Sequence, residues 1–163
     1  MPGIGQILGG AGQIPVYRDS DRAHEALSAA EDALRAGECV VIYPEGTITR
    51  DPDLWPMTGR PGVARLALAA RCPVIPVGQW GAQDIMPGHS VGIPRLFPRK
   101  RHAITLGEPV DLTGLSAGVP GDVAEATRRI MDALTDLVSG LRGEPAPSGR
   151  WDPRVGRRTT GRG

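Results

Sequence analysis

Apolar residues along the chain follow two kinds of pattern. They recur at helical spacing in residues 19–36, 61–72 and, most regularly, 122–141, which predicts three amphipathic helices. Continuous apolar runs at residues 39–43, 74–78 and 103–106 predict strands, with 39–43 as a buried central strand. A shorter run at 13–17 contains Pro15 and predicts an edge strand. Because strands and helices alternate, the predicted class is α/β, with a mixed, largely parallel sheet flanked by helices.

Length and composition predict one folded domain and a tail. The chain has 163 residues and a mass of 17.2 kDa, which suits a single domain. After residue 142 the composition changes to Pro, Gly, Ser and Arg, and residues 145–163 hold five arginines and one aspartate. We therefore predict a domain over residues 1–142 and a disordered basic tail over 143–163.

Charge and hydropathy exclude some classes of protein. With 19 Lys+Arg against 18 Asp+Glu the net charge is +1, so no global field attracts nucleic acid, and we expect no specific nucleic-acid partner. No apolar stretch reaches the roughly 20 residues needed to span a bilayer, and residues 1–17 lack the pattern of a signal peptide. The sequence therefore predicts a cytoplasmic protein.

A local basic patch lies in a loop rich in proline. Beside the apolar Leu96 and Phe97 it contains Arg95, Arg99, Lys100, Arg101 and His102. Basic and apolar side chains together suit a peripheral contact with anionic lipid headgroups. Attraction of nucleic acid and a solvated loop without a partner are the two alternatives.

A short motif stands where the predicted central strand ends. Residues 43–47 read Tyr-Pro-Glu-Gly-Thr, and ligands of open α/β sheets bind at the carboxyl ends of strands. Taken alone, Pro-Glu-Gly-Thr is also a plausible surface turn. Four further segments stand around it in fixed order: residues 12–18, which close on Arg18, then Arg60-Pro61-Gly62, Val74-Ile75-Pro76-Val77 and Gly107-Glu108-Pro109.

Together these segments resemble the glycerophospholipid acyltransferase family, whose members include the 1-acylglycerol-3-phosphate acyltransferases that make phosphatidic acid. The resemblance implies a glycerol-3-phosphate acyltransferase-like fold and no metal or other cofactor. It implies transfer of an acyl chain from acyl-CoA or acyl carrier protein to lysophosphatidic acid or a similar acceptor, at the inner face of a bacterial cell membrane. The acceptor phosphate would be bound by Arg18, Glu45, Gly46, Thr47 and Arg60, since a guanidinium forms paired, charge-assisted hydrogen bonds with phosphate.

The chain departs from the family pattern at two places. Ile48 follows the Glu-Gly-Thr motif where the family commonly has a basic residue, and the nearest arginine is Arg50. The family's first block, a His followed by four residues and an Asp, supplies the base for the attacking hydroxyl and is absent. Five positions after the three histidines, His24, His89 and His102, stand Ala29, Pro94 and Gly107.

We therefore offer no catalytic residue in this chain. The expectation is an acyltransferase domain truncated at its N-terminus, without its first helices and inactive alone. The alternative is a pseudoenzyme, a non-catalytic lipid- or nucleic-acid-binding protein that uses the basic patch at residues 95–102.

Overall fold

A computed structural model describes residue 14 and residues 23–86, 88 and 93–160. The chain divides into two compact units, residues 1–41 and 42–163. No helix in the described part is long and apolar enough to cross a bilayer. The helices are α1 (Ala23–Arg35), α2 (Gly62–Ala70), α3 (Ala82–Ile85) and α4 (Pro120–Arg142), and the strands are β1 (Val77–Trp80), β2 (Ala103–Leu106), β3 (Arg150–Asp152) and β4 (Arg157–Thr159).

The first unit contributes one described helix, α1, which confirms the first predicted helix. It ends two residues before Gly37, which has a positive φ of 83°. In its last turn Arg35 pairs with Glu31 and Asp32, one turn earlier on the same face. The predicted edge strand at residues 13–17 lies, apart from Ile14, outside the described residues.

Helix α4 organises the second unit and confirms the most regular of the predicted helices. Pro120 occupies its first turn, where a missing N–H costs nothing. Gly143 ends it at a φ of 67° and donates its N–H to the carbonyl of Ser139 at 2.9 Å. The face turned to the core is apolar and buried, and comprises Val123, Ala126, Ile130, Met131 and Val138.

Helix α4 packs against α2 and against a two-stranded sheet. Strands β1 and β2 pair antiparallel, with Val77 opposite Leu106 and Trp80 opposite Ala103. Gly78 lets the sheet approach the helix, because a Cβ there would lie 2.7 Å from the Cβ of Leu137. Helix α2 confirms the second predicted helix, and its Ala64 lies fully buried in the same core as Ala126.

The sheets differ from the prediction. Both described sheets consist of two antiparallel strands, so the largely parallel sheet is not found in this part of the chain. Residues 39–43 form no strand, and Val41 and Tyr43 are 79% and 73% exposed, so the predicted buried central strand is wrong. A strand becomes regular only when a neighbour completes its hydrogen-bond ladder, and none of the four described strands pairs with this run. The prediction that the chain contains both helices and strands is confirmed.

The structure describes a hairpin within the predicted tail, residues 143–163. Strands β3 and β4 form a hairpin in which Trp151 lies opposite Arg158. Arg150 anchors this hairpin to α4 through Asp132 and, at 3.4 Å, Thr135. Composition predicts disorder because arginines seldom build a core. Here Arg150 and Arg158 bind carboxylates outside the hairpin, those of Asp132 and Asp51.

Candidate functional site

The Glu-Gly-Thr motif (residues 45–47) forms a tight turn. Gly46 donates its N–H to the carbonyl of Tyr43 at 3.0 Å and has a φ of 67°. This left-handed conformation is open to glycine without steric cost, whereas a Cβ is disfavoured there. The backbone conformation at position 46 therefore favours glycine.

Arg60 lies against this turn. The chain returns to the motif at Arg60, whose N–H donates to the carbonyl of Pro44 at 2.8 Å. A Cβ built on Gly46 would lie 3.1 Å from the Nε of Arg60. The structure thus brings together Gly46 and Arg60, which are fourteen positions apart in the sequence. Arg60 and Thr47 are both exposed to solvent.

Glu45 braces the loop that leads to Arg60. Its Oε2 accepts the backbone N–H of Met57 at 3.0 Å, and Met57 is fully buried. Burial raises the pKa of the Glu45 carboxyl; the Met57 N–H lowers it, and the nearby charge of Asp51 adds to the rise. In the described structure this carboxylate therefore positions the backbone of the motif.

The loop between the motif and Arg60 is built around Asp51. Its Oδ1 accepts the N–H groups of Asp53 at 2.8 Å and Trp55 at 3.4 Å, as an aspartate does when it closes a turn on itself. The hydroxyl of Thr49 donates to the carbonyl of Trp55 at 2.7 Å. These bonds fix residues 49–57 as a folded loop. We name residues 49–58, which include the adjacent Thr58, the motif loop.

The motif loop is held by a distant arginine. Arg158 of β4 donates from Nε to Oδ2 of Asp51 at 2.8 Å and from Nη2 to Oδ1 at 2.7 Å. Asp51 is only 2% exposed, and its burial opposes ionisation. The hydrogen bonds from Arg158 and from the amides of Asp53 and Trp55 outweigh burial and lower the pKa of Asp51.

A second arginine contacts the same loop. The guanidinium of Arg142, the last residue of α4, lies between two indole rings, 4.1 Å from the centroid of Trp55 and 4.4 Å from that of Trp80. Its Nη1 also donates to the carbonyl of Asp53 at 2.7 Å. Sequence reasoning missed Asp51, Arg142 and Arg158, because no local pattern links residues about a hundred positions apart.

The other predicted site residues are exposed or undescribed. Arg18 lies outside the described residues, and Arg50 is exposed. All four basic residues offered as a membrane contact, Arg95, Arg99, Lys100 and Arg101, are exposed. Three large apolar side chains in the same loop are exposed as well: Ile93 at 92%, Leu96 at 62% and Phe97 at 88%.

In the described part of the chain no cluster of metal ligands is found, and the groove beside α4 is not lined by the motif. Within the described residues, no group of three or more His, Cys, Asp or Glu is placed to hold a metal ion. An open groove of about 610 Å³ lies between α4 and the segment 107–111, and its lining includes neither the motif nor Arg60. The motif is a surface turn with a cation beside it.

Comparison with known proteins shows which family the first 80 residues resemble. The family model described as Acyltransferase matches residues 1–80, which contain the Glu-Gly-Thr motif, Arg60 and Arg18. Through this region, which is just under half of its length, the chain is similar to the acyltransferase family.

Within that class the chain is similar to a particular enzyme. It is 31% identical over 94 residues to the chloroplastic 1-acyl-sn-glycerol-3-phosphate acyltransferase BAT2 of Brassica napus. The match covers 57% of this chain and 27% of the relative, so the matched part spans about a quarter of that relative's length. No solved structure matches the chain.

Proposed function

We propose that this chain carries the acceptor-binding part of an acyltransferase that acylates lysophosphatidic acid or a similar glycerophospholipid. The acyl donor is a thioester of coenzyme A or acyl carrier protein. The acceptor hydroxyl oxygen attacks the thioester carbonyl, the thiolate leaves, and the hydroxyl proton passes to a base. The product with lysophosphatidic acid is phosphatidic acid, an intermediate of phospholipid synthesis.

The observation that carries the proposal is the contact between Arg60 and the motif turn. A guanidinium fork matches the oxygens of a phosphate, and Gly46 has no side chain that would displace the guanidinium of Arg60. Thr47 adds an exposed hydroxyl at the same turn. In this proposal Arg18 completes the site, and Glu45 orients the turn through Met57.

We assign no residue of this chain as the general base. None of its histidines is followed, after four residues, by an aspartate. Orientation of the acceptor accounts for a large share of acyl-transfer catalysis, but proton removal needs a positioned base. We therefore expect the 163-residue chain to bind the acceptor and to be inactive alone.

The loop at residues 93–102 is proposed as the peripheral contact with the inner face of the cell membrane. Its exposed Leu96 and Phe97 suit insertion between headgroups, and its four basic residues suit anionic lipid. In this proposal the acceptor, which carries an acyl chain, enters the site from the membrane surface.

The acceptor site is tested by comparing two ligands that differ only in the phosphate. Lysophosphatidic acid and the matching monoacylglycerol are titrated into the wild-type chain, an Arg60→Ala variant and an Arg65→Ala control. Arg65 is exposed on α2, so its loss removes the same charge away from the turn. The proposal expects a preference for the phosphate ligand that Arg60→Ala abolishes and Arg65→Ala retains; an equal preference in all three proteins contradicts it.

A second candidate function is favoured by the exposed apolar and basic loop alone. In that case the chain is a non-catalytic lipid- or nucleic-acid-binding pseudoenzyme using residues 95–102. Binding to nucleic acid would fall steeply between low and moderate salt. Loss of binding on replacing the loop arginines, with no effect of Arg60→Ala, would favour this alternative.

A further inference from the structure

The C-terminal hairpin contacts the motif loop at two independent places. The first is the two-pronged ion pair from Arg158 to Asp51, at 2.8 and 2.7 Å. The second is a backbone hydrogen bond, in which the Thr58 N–H donates to the carbonyl of Trp151 at 3.0 Å. The hairpin itself is tied to α4 by Arg150, so both contacts connect the motif loop to the core helix.

The two contacts lie next to the bonds that shape the candidate phosphate site. Thr58 stands between Met57, whose N–H binds Glu45, and Arg60, whose N–H binds Pro44. Asp51 closes the turn that precedes Trp55 and Met57. A shift of the loop at either contact is therefore transmitted to the backbone that carries Arg60.

The hairpin lies outside the region that the family model matches. That region ends at residue 80, whereas Trp151 and Arg158 belong to the last fourteen residues of the chain. The contact between Arg158 and Asp51 spans 107 positions. The part of the chain with the motif is thus held by a segment that the family match does not include.

We propose that the hairpin β3–β4 is a clamp on the motif loop, with Arg158 as a positioning residue that acts through Asp51 to keep Glu45 and Arg60 in place. This inference rests on the proposed function for its consequence, the binding of phosphate, but the clamp itself is a property of the fold. Arg158 donates hydrogen bonds to Asp51 and, at 2.7 Å, to Asp53. Through Asp51 it holds two hydrogen bonds of the site in place, from the Met57 N–H to Glu45 and from the Arg60 N–H to Pro44.

The experiment measures amide hydrogen exchange by NMR in the full chain, at the N–H groups of Met57 and Arg60. We compare the wild type with Arg158→Gln and with the control Arg157→Gln, which removes an exposed charge from the neighbouring position of β4. The clamp predicts exchange at both amides at least about tenfold faster in Arg158→Gln, since an uncompensated buried carboxylate drives the loop open. Amides in the middle of α4 serve as the reference for global unfolding and are expected to stay protected in both variants.

Two additional variants separate positioning from a general loss of stability. The first is a double variant that combines Asp51→Asn with Arg158→Gln. It removes both charges, so no unpaired carboxylate is left, and the amide oxygen at position 51 can still accept the N–H groups of residues 53 and 55. This double variant is expected to remain folded and to exchange Met57 and Arg60 faster than the wild type. Arg158→Lys retains the charge without the fork and is expected to be intermediate. Wild-type exchange rates at both amides in the double variant would overturn the clamp.

The functional consequence is measured with glycerol 3-phosphate as the probe, by calorimetric titration. The inference predicts at least about fivefold weaker binding in the double variant than in Arg157→Gln. If Arg60→Ala weakens binding and the double variant does not, the clamp does not position the site and the inference is wrong. If Arg60→Ala also leaves binding unchanged, the proposed phosphate site fails, and the exchange rates alone decide on the clamp.

Discussion

The side chain of Arg60 lies over the α-carbon of Gly46, so that a methyl group at position 46 would come within 3.1 Å of its Nε. This relationship joins the two parts of the candidate site that the sequence separates. It also imposes two conditions on the residue at position 46: it adopts a positive φ, and it has no side chain under the guanidinium of Arg60.

Gly46→Ala is expected to affect stability and ligand binding separately. The alanine costs about 1 kcal/mol in the left-handed conformation and displaces the guanidinium of Arg60. Gly114→Ala is the matched control, because Gly114 has a φ of 81° and nothing within 4 Å of an added Cβ. Urea unfolding is expected to show similar losses for both variants, while only Gly46→Ala weakens binding of lysophosphatidic acid; equal binding by both would contradict the contact.

Glu45 is expected to make stability fall as the pH rises. Burial raises its pKa in the folded chain above the value in the unfolded chain, so the folded state binds more protons in the interval between the two. Stability therefore decreases as the pH rises from about 4 through the raised pKa. Glu45→Gln can still accept the Met57 N–H, and we expect it to remove this part of the pH dependence. A wild-type profile in the variant would contradict the assignment.

Asp51 and Arg158 are expected to act in the opposite sense. The pKa of Asp51 is lowered, so its contribution is present at neutral pH and is lost as the pH falls through the lowered pKa, below about 4. Because the Asp51 side chain is 1% exposed and that of Arg158 27%, Arg158→Gln is expected to cost about 2–3 kcal/mol at pH 7, somewhat less than for a fully buried pair. Chemical denaturation measures it, and Arg157→Gln should stay within about 0.5 kcal/mol of the wild type.

Arg142 is expected to stabilise the loop by stacking as well as by charge. Arg142→Lys retains the charge and loses the planar contact with Trp55 and Trp80, at an expected cost of about 1–2 kcal/mol. Tryptophan fluorescence measures both effects, through the unfolding midpoint and through the emission spectrum of the native state. An unchanged midpoint and emission spectrum would show that the guanidinium plane contributes nothing.

The loop at residues 93–102 is expected to bind anionic vesicles in proportion to its charge. Replacing Arg99 and Arg101 by Gln should weaken binding by about 1 kcal/mol per residue, with a strong dependence on salt. Phe97→Ser should weaken binding to both neutral and anionic vesicles, since Phe97 is 88% exposed. Sedimentation with vesicles containing phosphatidylglycerol or only phosphatidylcholine distinguishes the two contributions.

Helices α1, α2 and α4 and strand β2 could be predicted from the sequence, while the tertiary partners could not. Helix α4 follows from an apolar stripe sustained along a helix of 23 residues, and β2 lies over the predicted residues 103–106. The run at residues 39–43 has the composition of a buried strand, but apolar composition does not specify a neighbour, and the run is largely exposed. The composition of residues 143–163 predicts a disordered tail. It does not reveal that Arg158 binds the carboxylate of Asp51, 107 positions earlier in the chain.

The same distinction applies to the candidate site. The Glu-Gly-Thr motif and Arg60 could be singled out by their order along the chain, and the structure places them in contact. The scaffold of that contact, from Met57 through Asp51 to the hairpin, depends on backbone amides and on residues far apart in sequence. No periodicity or motif encodes such bonds.

Thioester-dependent acylation of lysophosphatidic acid is the assay that decides on the proposed acyltransferase function. The 163-residue chain is compared with a form extended upstream to include a His followed by four residues and an Asp, and with Arg60→Ala in that extended form. We predict phosphatidic acid from the extended protein, little from its Arg60→Ala variant, and none from the 163-residue chain. Activity in the 163-residue chain would contradict the proposed mechanism, and no activity in the extended protein would contradict the proposed function.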